Sequence, residues 1–326
     1  MIRKKSKLNI NRIGGYLRRL LLLVLIVVIS LELSLPCAAA KARRPKMSLE
    51  HQEFFKYAQY LFTKNERKIF RSLSTDEARE RFIKNFWEIR DPSPYTADNE
   101  FKLEMEQRYE YVIKYFKEGP IPGWKTDRGR IFLMLGPPTA QQEDMQVDEL
   151  NRASIIQWYY DEYNVYVRFI DYEGTGIYQM DLRTVSLALL DVLDNKKYFI
   201  VNKEGNINLE ALDIDLNYDN KTREFLVEVG TKNLNYEDVP ESSSEMMAKI
   251  KVDLVVYPSK KLDDFSKYSE VKSVKVPKEK LLEKKATISI RIPLELPKGK
   301  IKIDAIITDA LGDAVFRKFI SLNVKK

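Results

Sequence analysis

Carboxylates and guanidiniums that could do chemistry crowd into two short stretches of this chain. Arg90 and Asp91 precede Asn99 and Glu100, and Gly123-Trp124-Lys125-Thr126-Asp127-Arg128-Gly129-Arg130 follows soon after. A pair such as Asp127 with Glu100 could bind a cation, or act as acid and base on a glycan, a reaction that needs two carboxyl groups flanking the scissile bond. Glu104 and Arg108 stand four residues apart, which puts both on one helix face. The sharper expectation is that Arg90, Asp91, Asn99, Glu100, Trp124, Asp127 and Arg128 converge on one polar pocket. The plainer expectation, which these residue types favour, is a network locking helices to a sheet, because motifs mixing Gly, Trp, Pro and charge usually define a junction.

The remaining inventory narrows the chemistry further. His51 is the only histidine, so a serine-histidine triad or a multi-histidine zinc site cannot be assembled in one chain unless His51 itself serves. Beside Glu50 and Gln52 it is expected to be exposed or to cap a helix. No phosphate loop or dinucleotide fingerprint appears, and Gly174 and Gly176 read as a turn between strands. The expectation is a non-enzyme with no catalytic residue, no cofactor and no metal.

The first forty residues have another purpose. Seven basic residues from Arg3 to Arg19 precede residues 20–31, whose one polar member is Ser30; Pro36 and Ala38-Ala39-Ala40 follow. Basic, apolar and small segments in that order read as a signal peptide over residues 1–40. An uncleaved N-terminal anchor is the alternative, although the apolar run falls short of the roughly 20 residues that span a bilayer. Removing the leader takes away Cys37, the only cysteine, and with it thiol chemistry. The net charge of +7 shrinks to about +1, so the basic balance belongs to the leader and no nucleic-acid footprint is expected. The lysine-rich stretch 260–285 intersperses acids and reads as a solvated face or loop.

Elements must position the polar groups. Phe54, Ala58, Leu61 and Phe62 fall on one face of a first helix. Ser74-Thr75-Asp76-Glu77 reads as a capping box opening a helix with Phe82, Ile83, Phe86 and Trp87 inward, ended by Asp91-Pro92. Thr96 is the expected cap of the next helix, whose stripe is Phe101, Met105, Tyr109, Val112 and Phe116. Residues 130–135 read as a short strand closed by Gly136-Pro137-Pro138, then a polar connection, then strands at 155–160, 165–170 and 177–180. Leu182, Val185, Leu189 and Leu193 suggest a closing helix over 182–193. Tyr159, Tyr160, Tyr163 and Tyr166 could serve an interface, but their alternation suits an ordinary strand with one core face.

Residues 202–206 read as a linker. Beyond it apolar residues alternate strictly, as in Ile250, Val252, Leu254 and Val256, or Ile301, Ile303, Ala305 and Ile307. About seven such strands imply two sheets, each with one buried and one wet face. The expected fold class is therefore α+β: N-terminal helices packed with a small antiparallel sheet over residues 41–204, then an immunoglobulin-like all-β sandwich over 205–326.

The octet at 123–130 has a local logic. Pro120 and Pro122 stiffen the approach, Gly123 permits unusual backbone geometry, and Trp124 can plug into the helical core. Thr126 and Asp127 can accept from nearby amides, Arg128 and Arg130 can grip carboxylates, and Gly129 before a strand suggests a bulge or a close backbone approach.

With the 131–138 run IFLMLGPP, this octet resembles the GWxTD domain of bacterial envelope proteins. The resemblance extends to Phe86-Trp87, Arg90-Asp91-Pro92-Ser93-Pro94, Thr96, Asn99-Glu100-Phe101, Arg108, Trp158-Tyr159-Tyr160 and Val167-Arg168-Phe169. It covers roughly residues 50–195, departs at Tyr95 and Ala97, and leaves the sandwich aside. It implies a fold and a periplasmic or extracellular location, and no reaction. The expected function is that of an exported, non-catalytic structural or protein-interaction module, its partner another envelope protein. The alternative is a carboxylate-dependent glycan hydrolase or glycan-binding protein using Asp127 and Glu100. Membrane contact is expected only through a retained leader.

Overall fold

The computed structural model describes residues 47–325 apart from 94, 149–150, 196–211, 284 and 313. The expected leader, the 202–206 linker and the boundary at 204/205 lie outside the described residues.

Five helices come first, each started by a short polar side chain that satisfies an orphan first-turn amide. They are α1 (Leu49–Ala58, capped by Ser48), α2 (Lys64–Ser72, Thr63), α3 (Asp76–Ile89, Thr75), α4 (Glu100–Tyr115, Asn99) and α5 (Asp127–Leu135, Thr126). Several expectations shift by a few residues. Leu61 and Phe62 are buried but lie past the end of α1, because Thr63 opens a new helix. The capping box belongs there: Thr63 accepts from Glu66 N (3.2 Å) while Glu66 accepts from Thr63 N (2.8 Å). At α3 the cap is Thr75, which leaves Glu77 one position short of reaching back. Asn99, rather than Thr96, caps α4; the Thr96 hydroxyl contacts Ser93 O (2.7 Å) and Glu100 Oε1 (3.0 Å) instead.

The largest correction is residues 130–135, which are helix and not strand. Ile131, Phe132, Leu133, Met134 and Leu135 are all buried, and an element apolar all round carries no period to tell helix from strand. The supposed polar connection is β1 (Ala140–Asp148), an edge strand paired with β2 (Asn151–Tyr160). Then come β3 (Val165–Asp171) and the short β4 (Gln179–Met180), giving an antiparallel sheet in the order β1-β2-β3-β4. The closing helix α6 (Leu187–Asn195) starts later than expected: Leu189 is buried, whereas Leu182 is 74% exposed.

Eight further strands form two sheets. One holds β5 (Ile214–Asp219), β6 (Glu224–Gly230) and β10 (Thr287–Pro293). The other holds β7 (Glu237–Val239), β8 (Ser242–Pro258), β9 (Ser266–Pro277), β11 (Gly299–Asp309) and β12 (Val315–Val324), and a one-turn helix α7 (Lys278–Leu281) links β9 to β10. Val227, Phe225, Ile290 and Ile292 from the first pack with Ile250, Val252, Leu254 and Ile303 from the second in one core. Within the 260–285 stretch, residues 266–277 form β9, whose outward side chains are the solvated face expected there.

The expected wet face of the five-stranded sheet is in part dry. Val255, Tyr257 and Phe265 belong to the same core as the helices, and Lys46–Lys326 form one compact unit. The contiguous Val255-Val256-Tyr257 is what a strand buried on both faces requires.

Candidate functional site

The junction is built on backbone contact. A Cβ on Gly123 would sit 1.9 Å from the Val112 carbonyl oxygen of α4, and one on Gly129 would sit 1.9 Å from the Gly123 carbonyl oxygen. The two glycines let α4, the 123–125 turn and the first turn of α5 stack with no side chain between them. Gly129 thus serves close approach within a helix, not a bulge before a strand. Thr126 bridges the pair, donating to Gly123 O (2.9 Å) and accepting from Gly129 N (3.0 Å). Trp124 is half-buried against the helical core, and its carbonyl accepts from Tyr60 Oη (2.7 Å).

The charged members of the motif hold down the edge of the small sheet. Asp127 accepts from Arg130 (2.6 Å) and from Met180 N (2.7 Å). Glu118, 2% exposed, accepts from Arg128 Nε (2.7 Å) and from Tyr178 N (3.1 Å). Arg128 also lies over the Tyr178 ring at 4.4 Å. Among the described residues β4 pairs with β3 alone, so the outward amides of Met180 and of Tyr178 just before the strand would otherwise be orphaned; two carboxylates take them. Glu118 was missed in the sequence because only its preceding helix end, and no motif, surrounds it.

The other expected site residues are engaged locally. Arg108 donates to Leu133 O (3.3 Å) and Met134 O (3.5 Å), neutralising the carbonyl end of α5, and pairs with Glu104. Tyr160 Oη donates to Gly136 O (3.1 Å), and burial pushes its phenol pKa well up. Trp158 Nε1 donates to Gln141 (3.0 Å). Asn99 donates to Trp87 O (2.8 Å), and Asp91 accepts from Ser93 N (2.9 Å). His51 is neither exposed nor a cap; it is 2% exposed, with Nδ1 3.2 Å from Asp76.

Asp127 and Glu100 do not share a pocket. Gly123 touches α4 at Val112, twelve residues beyond Glu100, which is roughly 18 Å along a helix axis. Paired glycosidase carboxyls stand no more than about 10 Å apart.

Arg90 also leaves the pocket, and its position reveals an arrangement that sequence reasoning did not reach. It is fully buried and donates to Glu66 (3.0 Å) and to the carbonyl oxygens of Phe86 and Leu61 (3.2 Å each). Glu66 in turn accepts from Arg317 (2.7 Å), which grips Asp304 with two bonds of 3.0 and 2.6 Å. Arg90, Glu66, Arg317 and Asp304 thus alternate in sign from α3 through α2 to β12 and β11. Burial opposes the Glu66 charge, but Arg317 and Arg90 outweigh it and pull its pKa down to about 2. Burial pushes the Asp304 carboxyl up, more than Arg317 pulls it down. Around this chain runs a rim. Asp263 accepts from Ser74 N (2.7 Å) at the head of α3, Arg81 lies 4.7 Å over Phe265, and Lys267 pairs with Glu88 (2.8 Å). Glu66 at the third position after Thr63 was a legible signal, but a cap box does not announce that its carboxylate has two further partners.

Comparison with known proteins adds little. No family model matches the chain, and no curated protein matches it. A solved structure, the chicken interferon gamma receptor alpha chain, aligns at 12% identity over 58% of this chain and 99% of its own, with a TM-score of 0.18. A superposition that poor carries no argument about fold or function. Among the described residues, no helix is long and apolar enough to cross a membrane.

Proposed function

We propose that this chain is an exported, non-catalytic protein of the GWxTD kind that works as a rigid structural or protein-interaction module of the bacterial envelope, its second part an immunoglobulin-like sandwich. One observation carries the reading: the motif's polar groups end on the chain's own backbone and side chains. Asp127 holds Met180 N, Arg128 holds Glu118, Thr126 bridges Gly123 and Gly129, and Arg108 caps α5. Catalytic groups need free valences aimed at a substrate; these are committed inward. The buried charge chain supports rigidity, since it ties the helices to the sandwich at one fixed register.

In situ crosslinking tests this reading, with the chain captured from its own envelope. The expected result is a stoichiometric envelope protein crosslinked to the mature chain in the extracytoplasmic fraction. Recovery of the intact product from the cytosol, or glycan cleavage that Asp127→Asn abolishes without loss of stability, would contradict it.

A further inference from the structure

Turns 219–223 and 294–298 and the residue after β12 meet at one end of the two-sheet unit. Tyr218 Oη donates to Leu294 O (3.1 Å), Leu294 N to Arg223 O (3.0 Å), and Lys325 N to Asn220 Oδ1 (2.9 Å). Between them opens a cleft of about 560 Å³ lined by Lys221, Arg223, Lys298 and Lys325 with one carboxylate, Glu295. A second cleft of about 590 Å³ adjoins it, sharing Lys221, Lys325, Tyr218 and Asn220 and adding Thr222, the Asp219 carboxylate and the Arg291–Glu224 pair (3.5 Å).

The cleft is cationic after internal pairing is subtracted. Arg223 pairs with Glu295 at 2.7 Å. Asp219, which lines the adjoining cleft, accepts from the turn amides Lys221 N (2.7 Å) and Thr222 N (3.4 Å). Those bonds, with the nearby Lys221 charge, hold its pKa down, so it stays anionic and offsets one cation. Among the described residues, Lys221, Lys298 and Lys325 have no ion-pair partner within 4.0 Å. Lys298 and Lys325, with Lys221 partly offset by Asp219, therefore leave this cleft an excess of positive charge in a body whose charges otherwise nearly balance. We propose that this cleft binds a phosphate-bearing ligand. Ammonium groups are compact point charges suited to a many-oxygened anion, and the volume fits a small molecule or a lipid headgroup. The sequence alone suggested membrane contact only through the leader; this site uses no residue of the leader or of the junction.

The experiment uses residues 41–326, which keep the compact unit and lack a leader that would bind anionic surfaces itself. Two probes separate the sources: inorganic pyrophosphate by calorimetry, and vesicles of phosphatidylglycerol in phosphatidylcholine by sedimentation. Binding is expected to at least one, weakening as salt rises from about 50 to about 200 mM. Lys221→Gln/Lys298→Gln/Lys325→Gln should lower affinity roughly a hundredfold with an unchanged unfolding midpoint. A control of equal charge change, Lys275→Gln/Lys278→Gln/Lys285→Gln, should keep it. Pyrophosphate alone identifies a soluble ligand, and vesicles alone a headgroup. No binding of either probe, an unaffected triple variant, or equal loss in the control overturns the site.

Discussion

Replacing Arg317 with alanine removes three charge-assisted hydrogen bonds at once: one to Glu66 at 2.7 Å and two to Asp304 at 3.0 and 2.6 Å. Glu66 would keep Arg90. Asp304, 1% exposed, would keep no cation within ion-pair distance among the described residues. Breaking a buried pair from one side costs about 3–5 kcal/mol, because the abandoned charge stays in a poor solvent. Asp304 can escape part of that by taking up a proton, so the low end, about 3 kcal/mol, is expected. Removing both partners in Arg317→Met/Asp304→Leu leaves Arg90 with Glu66 as a neutral pair and should return most of the loss, to within about 1–2 kcal/mol of the parent. Urea unfolding of residues 41–326, followed by tryptophan fluorescence, measures all three. A single-variant loss under about 1 kcal/mol, or a double variant no more stable than the single, would refute the claim that this chain of charges acts as a coupled unit.

Acid should weaken the same seam through Glu66. Its folded pKa lies near 2, below the ordinary value near 4.5; a lowered carboxylate pKa stabilises above the unfolded value, and the contribution, about 3 kcal/mol, is lost as pH falls from about 4.5 to about 2. Asp304, raised by burial, acts in the opposite sense, so the net loss is smaller. Glu66→Gln should flatten the fall in urea midpoint between pH 5 and pH 2.5, and an unchanged slope would count against the assignment. Gly129→Ala, whose Cβ would lie 1.9 Å from a backbone oxygen, should cost about 3 kcal/mol or more, checked by thermal unfolding. Asp127→Ala orphans Met180 N and should cost about 1–3 kcal/mol, with hydrogen exchange of β4 faster than that of β2.

The helices were legible where periodicity and caps agree. Phe82, Phe86 and Trp87 repeat at helical spacing and end at Asp91-Pro92, and they are buried as that pattern requires. Residues 131–135 defeated the reading because burial on every side erases period. Alternation in the sandwich was plain, yet it concealed that Val255 and Tyr257 face the helices, since alternation locates one core face and does not say what covers the other. At the site, Thr126 and the paired glycines were readable from residue type. The charge chain was not: Glu66 meets Arg317 across 251 positions, and a buried ion pair between segments so far apart leaves no local mark. Glu118, only ten residues before its partner Arg128, sits in no motif that would single it out.

Denaturant-dependent hydrogen exchange tests the central claim most directly, by comparing amides of Phe86 and Val112 in the helical core with those of Val227 and Ile290 in the sandwich. If the charge chain and the shared core bind the layers into one body, all four should open with the same free energy and the same denaturant dependence. A sandwich that opens and closes at its own lower free energy, while the helical core stays protected, would contradict it.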